Sequence, residues 1–344
     1  MRRNALVAIA IAGAMLLGAI PATALAWSNG PAKKGHAGDG YGTHDWILDR
    51  AIKLAGANGT WVIRTTALLA TDDPDSQRTP STYHWYSDSG SLRGAPQMVS
   101  ELYHQAIVAY QAGDRVAASR YLGTLSHYYD DITQPFHTTS KALPYGALHN
   151  RYEYAVDDHQ NTPAKSRSWV TARPTVPVTD IRSKTVDAAL YARSLFPRLL
   201  ASYKRSRSVT KGTTNKVTRL VMSRAVNDLA DIISSIPSGV GEATAPAAVD
   251  MSLSATNPRP TQRLGTLVTI TDANGAPINA VGVKFEWRLP TGTVTWLTFT
   301  DANGYAYRYQ TISSLPFLQQ AFTTTYITVN GTTTATDRWF MRVN

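Results

Sequence analysis

The sequence predicts an all-α region followed by a small all-β module, and two observations carry that division. Apolar residues recur at helical spacing through about Ile236. After Pro237 the composition turns first to small residues, then to threonine and valine in short alternating runs. The boundaries read as a signal segment over 1–26, an all-α region over 27–237, a linker over 238–249 and a β-sandwich over 250–344.

Each element has its own local reason. Arg2 and Arg3 precede an uncharged, mostly apolar run from Ala5 to Ile20, which Pro21 breaks. The run is shorter than the ~20 apolar residues a membrane span needs. Ala24-Leu25-Ala26 is a small-x-small cleavage site, and a cut there would make Trp27 the first residue. His44–Leu54 places Trp46, Ile47, Leu48, Ala51, Ile52 and Leu54 at helical intervals. Met98–Tyr110 continues the pattern, Gly113-Asp114 interrupts it, and Val116–Ile132 resumes it. Val186–Tyr203 and Val217–Ile233 are long amphipathic segments; Val217, Leu220, Val221, Leu229, Ile232 and Ile233 form the expected buried stripe of the second.

Beyond the linker, Thr266–Ile270, Val281–Trp287 and Thr323–Val329 alternate as strands do. About seven short strands in ~95 residues suit a sandwich. The pentapeptide TDANG occurs at Thr271–Gly275 and again at Thr300–Gly304. Its Asn-Gly pair predicts a tight hairpin turn with positive φ at both central residues.

The chain has no cysteine, which excludes disulfides and thiolate metal sites; an exported protein of this kind is held by core burial, metal, or both. With 34 Lys and Arg against 24 acidic residues, the formal charge is +10. A basic surface favours anionic lipid, acidic cell-wall polymer or nucleic acid.

The chemistry concentrates in SHYYDDITQPFH, Ser126–His137. His127 and Asp131 are four apart and share one helix face. Pro135 removes a backbone donor and ends or bends the helix, so that His137 turns back from the following loop. His149 and Glu153 are again four apart, completing H-x3-D-x5-H-x11-H-x3-E. Upstream, His84 follows the cluster Asp72, Asp73 and Asp75, and His44 opens the first helix. These groups use five of the eight histidines, and imidazole with carboxylate is the usual nitrogen and oxygen ligand set of zinc.

This ordered set, with Trp27 as the mature start, resembles the bacterial zinc-dependent phospholipase C family, the alpha-toxin type included, over Trp27 to about Ile236. The resemblance implies about three zinc ions. It gives His137, His149 and Glu153 to one ion. His84, His127 and Asp72 go to a second, with Asp131 bridging to a third that also takes His44 and the amino nitrogen and carbonyl oxygen of Trp27. Asp72 is the candidate general base, with Asp73 next and Asp75 last. The implied reaction is hydrolysis of a phospholipid phosphodiester, by a zinc-bound hydroxide, to diacylglycerol and a phosphorylated headgroup. The substrate partner would be a phospholipid surface, with no specific nucleic acid, and the protein would be secreted. Two features depart from the family. Ser28, Asn29 and Gly30 follow Trp27 where choline-selective members carry a carboxylate, and Tyr83, Trp85 and Tyr86 are either headgroup aromatics or core. The β-module resembles a bacterial immunoglobulin-like domain that binds a cell surface, not the calcium- and membrane-binding domain of the toxin.

Two other readings stay in view. Single-strand nucleases with the same zinc architecture usually end the run in aspartate, space the last histidines more widely and carry disulfides. A surface-binding protein with a structural metal needs only about four ligands, and this chain offers more than twice that.

Overall fold

The computed structural model describes Trp27 and residues 41–77, 79–160, 169–254, 263–289, 292–311, 321–329 and 332–341. The signal segment 1–26 and the Ser28–Gly30 stretch lie outside the described residues. A mostly helical N-terminal region leads into a small region of sheet.

The helices are α1 (Thr43–Ala55), α2 (Arg64–Ala70), α3 (Asp73–Ser76), α4 (Ala95–Gln111), α5 (Arg115–Thr133), α6 (Gly146–Gln160), α7 (Ile181–Ser206) and α8 (Gly212–Ser235). Asp45 starts α1 by accepting from Gly42 N–H at 2.9 Å, and Asp114 caps α5 by accepting from Ala117 N–H at 2.9 Å. Both helices run through the interior. From Leu125 to Thr133 every residue of α5 is buried, polar ones included. A helix enclosed on all sides has no solvent face, so its polar residues must find partners inside.

Gly123 sets the position of α5. A Cβ there would collide with Ala67 O and Ala70 Cβ of α2, so glycine allows the two helices to touch. On α8, Val217, Val221, Leu229, Ile232 and Ile233 are buried, but Leu220 is exposed. It stands one residue before Val221 and falls on the flank of the stripe, which corrects its place in the expected core face.

Charge ties the helices where apolar packing does not. Asp231 accepts from Arg173 at 2.6 and 2.9 Å, from Lys184 Nζ at 2.8 Å and from Val176 N–H at 2.8 Å. Asp228 binds Tyr129 Oη at 2.8 Å and Lys184 at 3.0 Å, which links α5, α7 and α8.

The β-region pairs β1 (Ala248–Leu253), β2 (Arg263–Thr271) and β5 (Tyr305–Thr311) in one sheet, and β4 (Gly292–Phe299), β3 (Gly282–Leu289), β6 (Ala321–Val329) and β7 (Thr332–Met341) in another. All these pairings are antiparallel. Val283, Phe285 and Trp287 alternate with Lys284, Glu286 and Arg288, so the first set faces inward to Leu264, Val268, Ile270 and Ala306 of the other sheet. Trp287 Nε1 donates across to Thr266 Oγ1 at 3.2 Å, which satisfies the one polar atom of a buried indole.

The TDANG segments differ from the expected turn. Only Gly275 and Gly304 have positive φ; Asn274 and Asn303 do not. Asp272 Oδ1 instead accepts from Asn274 N–H and Ala276 N–H, and Asp301 Oδ1 from Asn303 N–H and Tyr305 N–H. The aspartate side chain closes a longer loop, which outweighs the Asn-Gly preference. The β-region leans on the helices through Asn279 Nδ2, which donates to Tyr86 Oη at 2.8 Å, and through Ala280, buried in the helical core.

Gly123→Ala is expected to lower stability by about 2 kcal/mol, despite a helix-propensity gain of about 1, as denaturant unfolding will show. Asp231 gives a pH-dependent case. Burial alone would raise its pKa, but Arg173, Lys184 and the Val176 amide outweigh burial and hold it below the ordinary carboxylate value. A depressed folded pKa contributes stability above the unfolded pKa and loses it as pH falls through the folded one. Asp231→Asn should therefore cost about 2 kcal/mol at neutral pH. The gap between variant and parent should narrow as pH falls below the ordinary carboxylate range, measured by unfolding at neutral and acid pH.

Candidate metal centre

Pro135 stops α5 as the sequence predicts: the helix ends at Thr133, and Pro135–Thr138 forms a short 3-10 turn that carries His137. Gln134 holds this corner. Its Oε1 accepts from Phe136 N–H at 2.5 Å, and its Nε2 donates to Glu153 Oε1 at 2.9 Å. α6 then brings His149 and Glu153 back on one face. His84 arrives from the turn Ser81–His84 and His44 from the first turn of α1.

These side chains converge. Three groups each place their ligand atoms within 4.8 Å of one another: His44, His127 and Asp131; Asp75, His84 and His127; and His137, His149 and Glu153. Asp131 spans the first two. Its Oδ1 lies 3.6 Å from His44 Nε2, while Oδ2 lies 2.7 Å from His84 Nδ1 and 3.4 Å from His127 Nε2. In the third, His149 Nε2 is 2.7 Å and His137 Nε2 3.5 Å from Glu153 Oε1.

The outer contacts settle which nitrogen faces inward. A carbonyl can only accept, so His127 Nδ1 donates to Thr71 O at 2.7 Å and His137 Nδ1 to His84 O at 2.7 Å. Thr79 Oγ1 commits its one proton to Pro74 O at 3.1 Å and so accepts from His84 Nε2 at 3.0 Å. Each neutral ring has then used its only N–H, and its second nitrogen presents a lone pair to the carboxylates. Aromatic walls hold the rings: Trp85 stacks on His137 at 4.8 Å and Phe136 on His149 at 5.0 Å.

Burial lowers the pKa of His44, His84, His127 and His149 as neutral rings require, whereas Glu153 and Asp131 outweigh burial at His137 and raise it. Burial drives the His44 pKa down to about 3 and carries His127 well below its usual value, with neighbouring histidines adding to the shift. Burial likewise pushes the Asp130 and Asp131 carboxyls well above theirs. Glu153 goes the other way, because His149 and His137 outweigh burial. His44 Nε2, Asp131 Oδ1, His137 Nε2 and His149 Nε2 are buried without a well-aligned hydrogen bond. Lone pairs face lone pairs, an arrangement that only a proton or a cation relieves. The donor set, imidazole and carboxylate only, fits zinc.

The structure brings together His44, His84, His127, Asp131, His137, His149 and Glu153. Trp27 is buried beside them: its Nε1 donates to Asp130 O at 2.9 Å, and its main chain faces the His44 ring. Asp72 stands at the N-cap of α3, and the acid that groups with His84 and His127 is Asp75, whose Oδ1 lies 3.9 Å from His84 Nδ1 and 3.7 Å from His127 Nε2. The turn of α3 points residue 75 inward, and sequence distance to His84 carried no sign of that turn. Asp73 is paired with Arg120 at 3.0 Å, away from the cluster. Trp85 and Tyr86 are buried, so both belong to the core. Gln134, Thr71 and Thr79 were invisible as supports because two of their contacts use main-chain or hydroxyl oxygens that any residue pattern hides.

No family model matches the chain. It is 29% identical over 143 residues to phospholipase C from Bacillus cereus, covering 35% of this chain and 50% of that protein. A second Bacillus cereus phospholipase C matches at 28% with the same coverage. The chain thus spans about half the length of these curated relatives. Among solved structures, the alpha toxin from Clostridium absonum is similar at TM-score 0.46 and 12% identity, covering 89% of this chain and 98% of that one. The Clostridium perfringens alpha-toxin from an avian strain is similar at TM-score 0.41 and 12% identity, covering 88% and 98%. The chain resembles the bacterial phospholipase C family, as the spacing of its histidines and acids predicts.

Asp75→Asn is expected to weaken retention of one metal ion by about 10-fold or more, while Asp72→Asn retains the parent's metal content. His137→Ala and Glu153→Ala should each remove one ion. Metal analysis of the dialysed variants decides all four.

Proposed function

We propose that this chain is a secreted, zinc-dependent phospholipase C that cleaves the phosphodiester of phospholipids. The observation that carries the reading is the convergence of three ligand groups into one buried cluster with shared members. A single structural ion needs about four ligands, and this surplus suits a multi-metal hydrolytic site.

His137, His149 and Glu153 would hold one ion, Asp75, His84 and His127 a second, and His44 with the Trp27 main chain a third, Asp131 reaching both of the latter through its two oxygens. Bound zinc would supply acidified water and would neutralise charge building on the phosphoryl oxygens. The protein's own part is orientation. Thr71, Thr79 and the His84 carbonyl fix the rings, and Gln134 fixes Glu153. The Asp75 side chain is 17% exposed while Asp131 is fully buried, so the cluster opens toward solvent on the Asp75 side. Asp75 therefore takes the general-base role first given to Asp72: it stands where substrate enters and can accept a proton from water.

The division into a signal segment, helical catalytic unit, linker and immunoglobulin-like module belongs to this reading. The strand order of the two sheets supports a sandwich of that type. A surface-binding role for the module draws support from the exposed row Tyr305, Tyr307 and Tyr309 on β5. Among the described residues no helix is long and apolar enough to cross a membrane.

The test is hydrolysis of vesicles that differ only in phospholipid headgroup, with zinc added and with zinc chelated. Phosphorylated headgroup should appear with zinc and vanish on chelation, and single-stranded DNA should stay intact. Asp75→Asn should lower kcat by about 100-fold or more. Cleavage of DNA with vesicles untouched would transfer the reading to the nuclease class.

A further inference from the structure

We infer that Asp130 is a positioning residue, which holds the His44 ring so that Nε2 faces the metal. This rests on the metal reading given under Proposed function. Asp130 precedes Asp131 on α5 and is fully buried, and neither carboxyl oxygen has a hydrogen-bond partner of good geometry. Its Oδ2 lies 3.5 Å from His44 Nδ1. On the opposite edge of the same ring, Nε2 lies 3.6 Å from Asp131 Oδ1. Two consecutive acids of one helix thus face the two nitrogens of one imidazole.

The other inward rings fix the pattern. His127 and His137 give their N–H to main-chain carbonyls, and His84 gives its N–H to a threonine hydroxyl. His44 differs: neither ring nitrogen makes a well-aligned hydrogen bond, and the ring has the Trp27 main chain and a carboxyl as neighbours. The group beside its Nδ1 is the Asp130 carboxyl. With the single N–H on Nδ1, the Nε2 lone pair points at Asp131 and His127, where the first ligand group converges. An acid in this place does more than orient. Burial favours the neutral acid, but a cation bound nearby would favour its ionised form, and an ionised acceptor makes the ring a stronger donor to that cation than a carbonyl does.

The same geometry separates this role from a plain structural one. A buried carboxyl without a partner destabilises the metal-free fold. Removing it should relieve the stripped protein and weaken the loaded one. The α5 main chain needs no side chain at 130, since Asp130 O alone accepts from Trp27 Nε1 at 2.9 Å and Thr133 Oγ1 at 2.7 Å.

The experiment compares the full chain with Asp130→Ala and Asp130→Asn. It reads zinc retained per chain across a chelator series, and the Tm of each protein stripped and zinc-loaded. The parent should retain about three ions. Asp130→Ala should release one of them at roughly 10- to 100-fold lower chelator strength, with a stripped Tm equal to or above the parent's. Asp130→Asn keeps an acceptor without the charge and should fall between. Equal retention of every ion by Asp130→Ala overturns the inference. So does a stripped Tm that falls as far as the loaded one, which marks a structural role. A parent chain that holds no zinc overturns the metal reading and this inference with it.

Discussion

Buried lone pairs that face one another are the constraint on which the rest of this structure depends. The imidazoles of His44, His84, His127, His137 and His149 and the carboxyls of Asp131 and Glu153 lie in the helical interior, where solvent cannot compensate them. The N–H groups of His127, His84 and His137 are spent outward on Thr71 O, Thr79 Oγ1 and His84 O. What remains inside is a concentration of acceptors. Such a set is unfavourable by several kcal/mol unless cations enter it. The helical frame must therefore be stable enough to hold an arrangement that works against folding.

The frame does this with a few local devices. Gly123 lets α5 close on α2, and that approach puts His127 within reach of Thr71 O. Pro135 and Gln134 turn the chain sharply after α5, so that His137 and Glu153 meet from different elements. Away from the cluster, the pairing of Asp228 and Asp231 with Arg173 and Lys184 ties α7 and α8 to α5, and Trp27 is pinned between α5 and Tyr152, its ring 5.7 Å from the tyrosine's.

Much of this was legible because period and spacing survive folding. The helices at α1, α4, α5, α7 and α8 follow from apolar recurrence, and the i, i+4 pairs His127–Asp131 and His149–Glu153 follow from helical geometry alone. What failed did so for physical reasons. Asp72 and Asp75 differ by a short turn whose direction no spacing records. Leu220 fits a hydrophobic count but not the angle of its helix. The TDANG loops obey a side-chain cap that overrides dipeptide preference. Nothing in the pattern marks Asp130, since only the fold reveals that it sits against His44.

The contact between Asn279 and Tyr86 has a mechanical consequence. Tyr86 N–H donates to His137 O at 3.0 Å, so two hydrogen bonds in series run from the β-region to the turn that carries a ligand histidine. A load on the β-region would reach that turn by this route alongside the links from Gly282 N–H to Gln97 Oε1 and from Thr298 Oγ1 to Gly90 O.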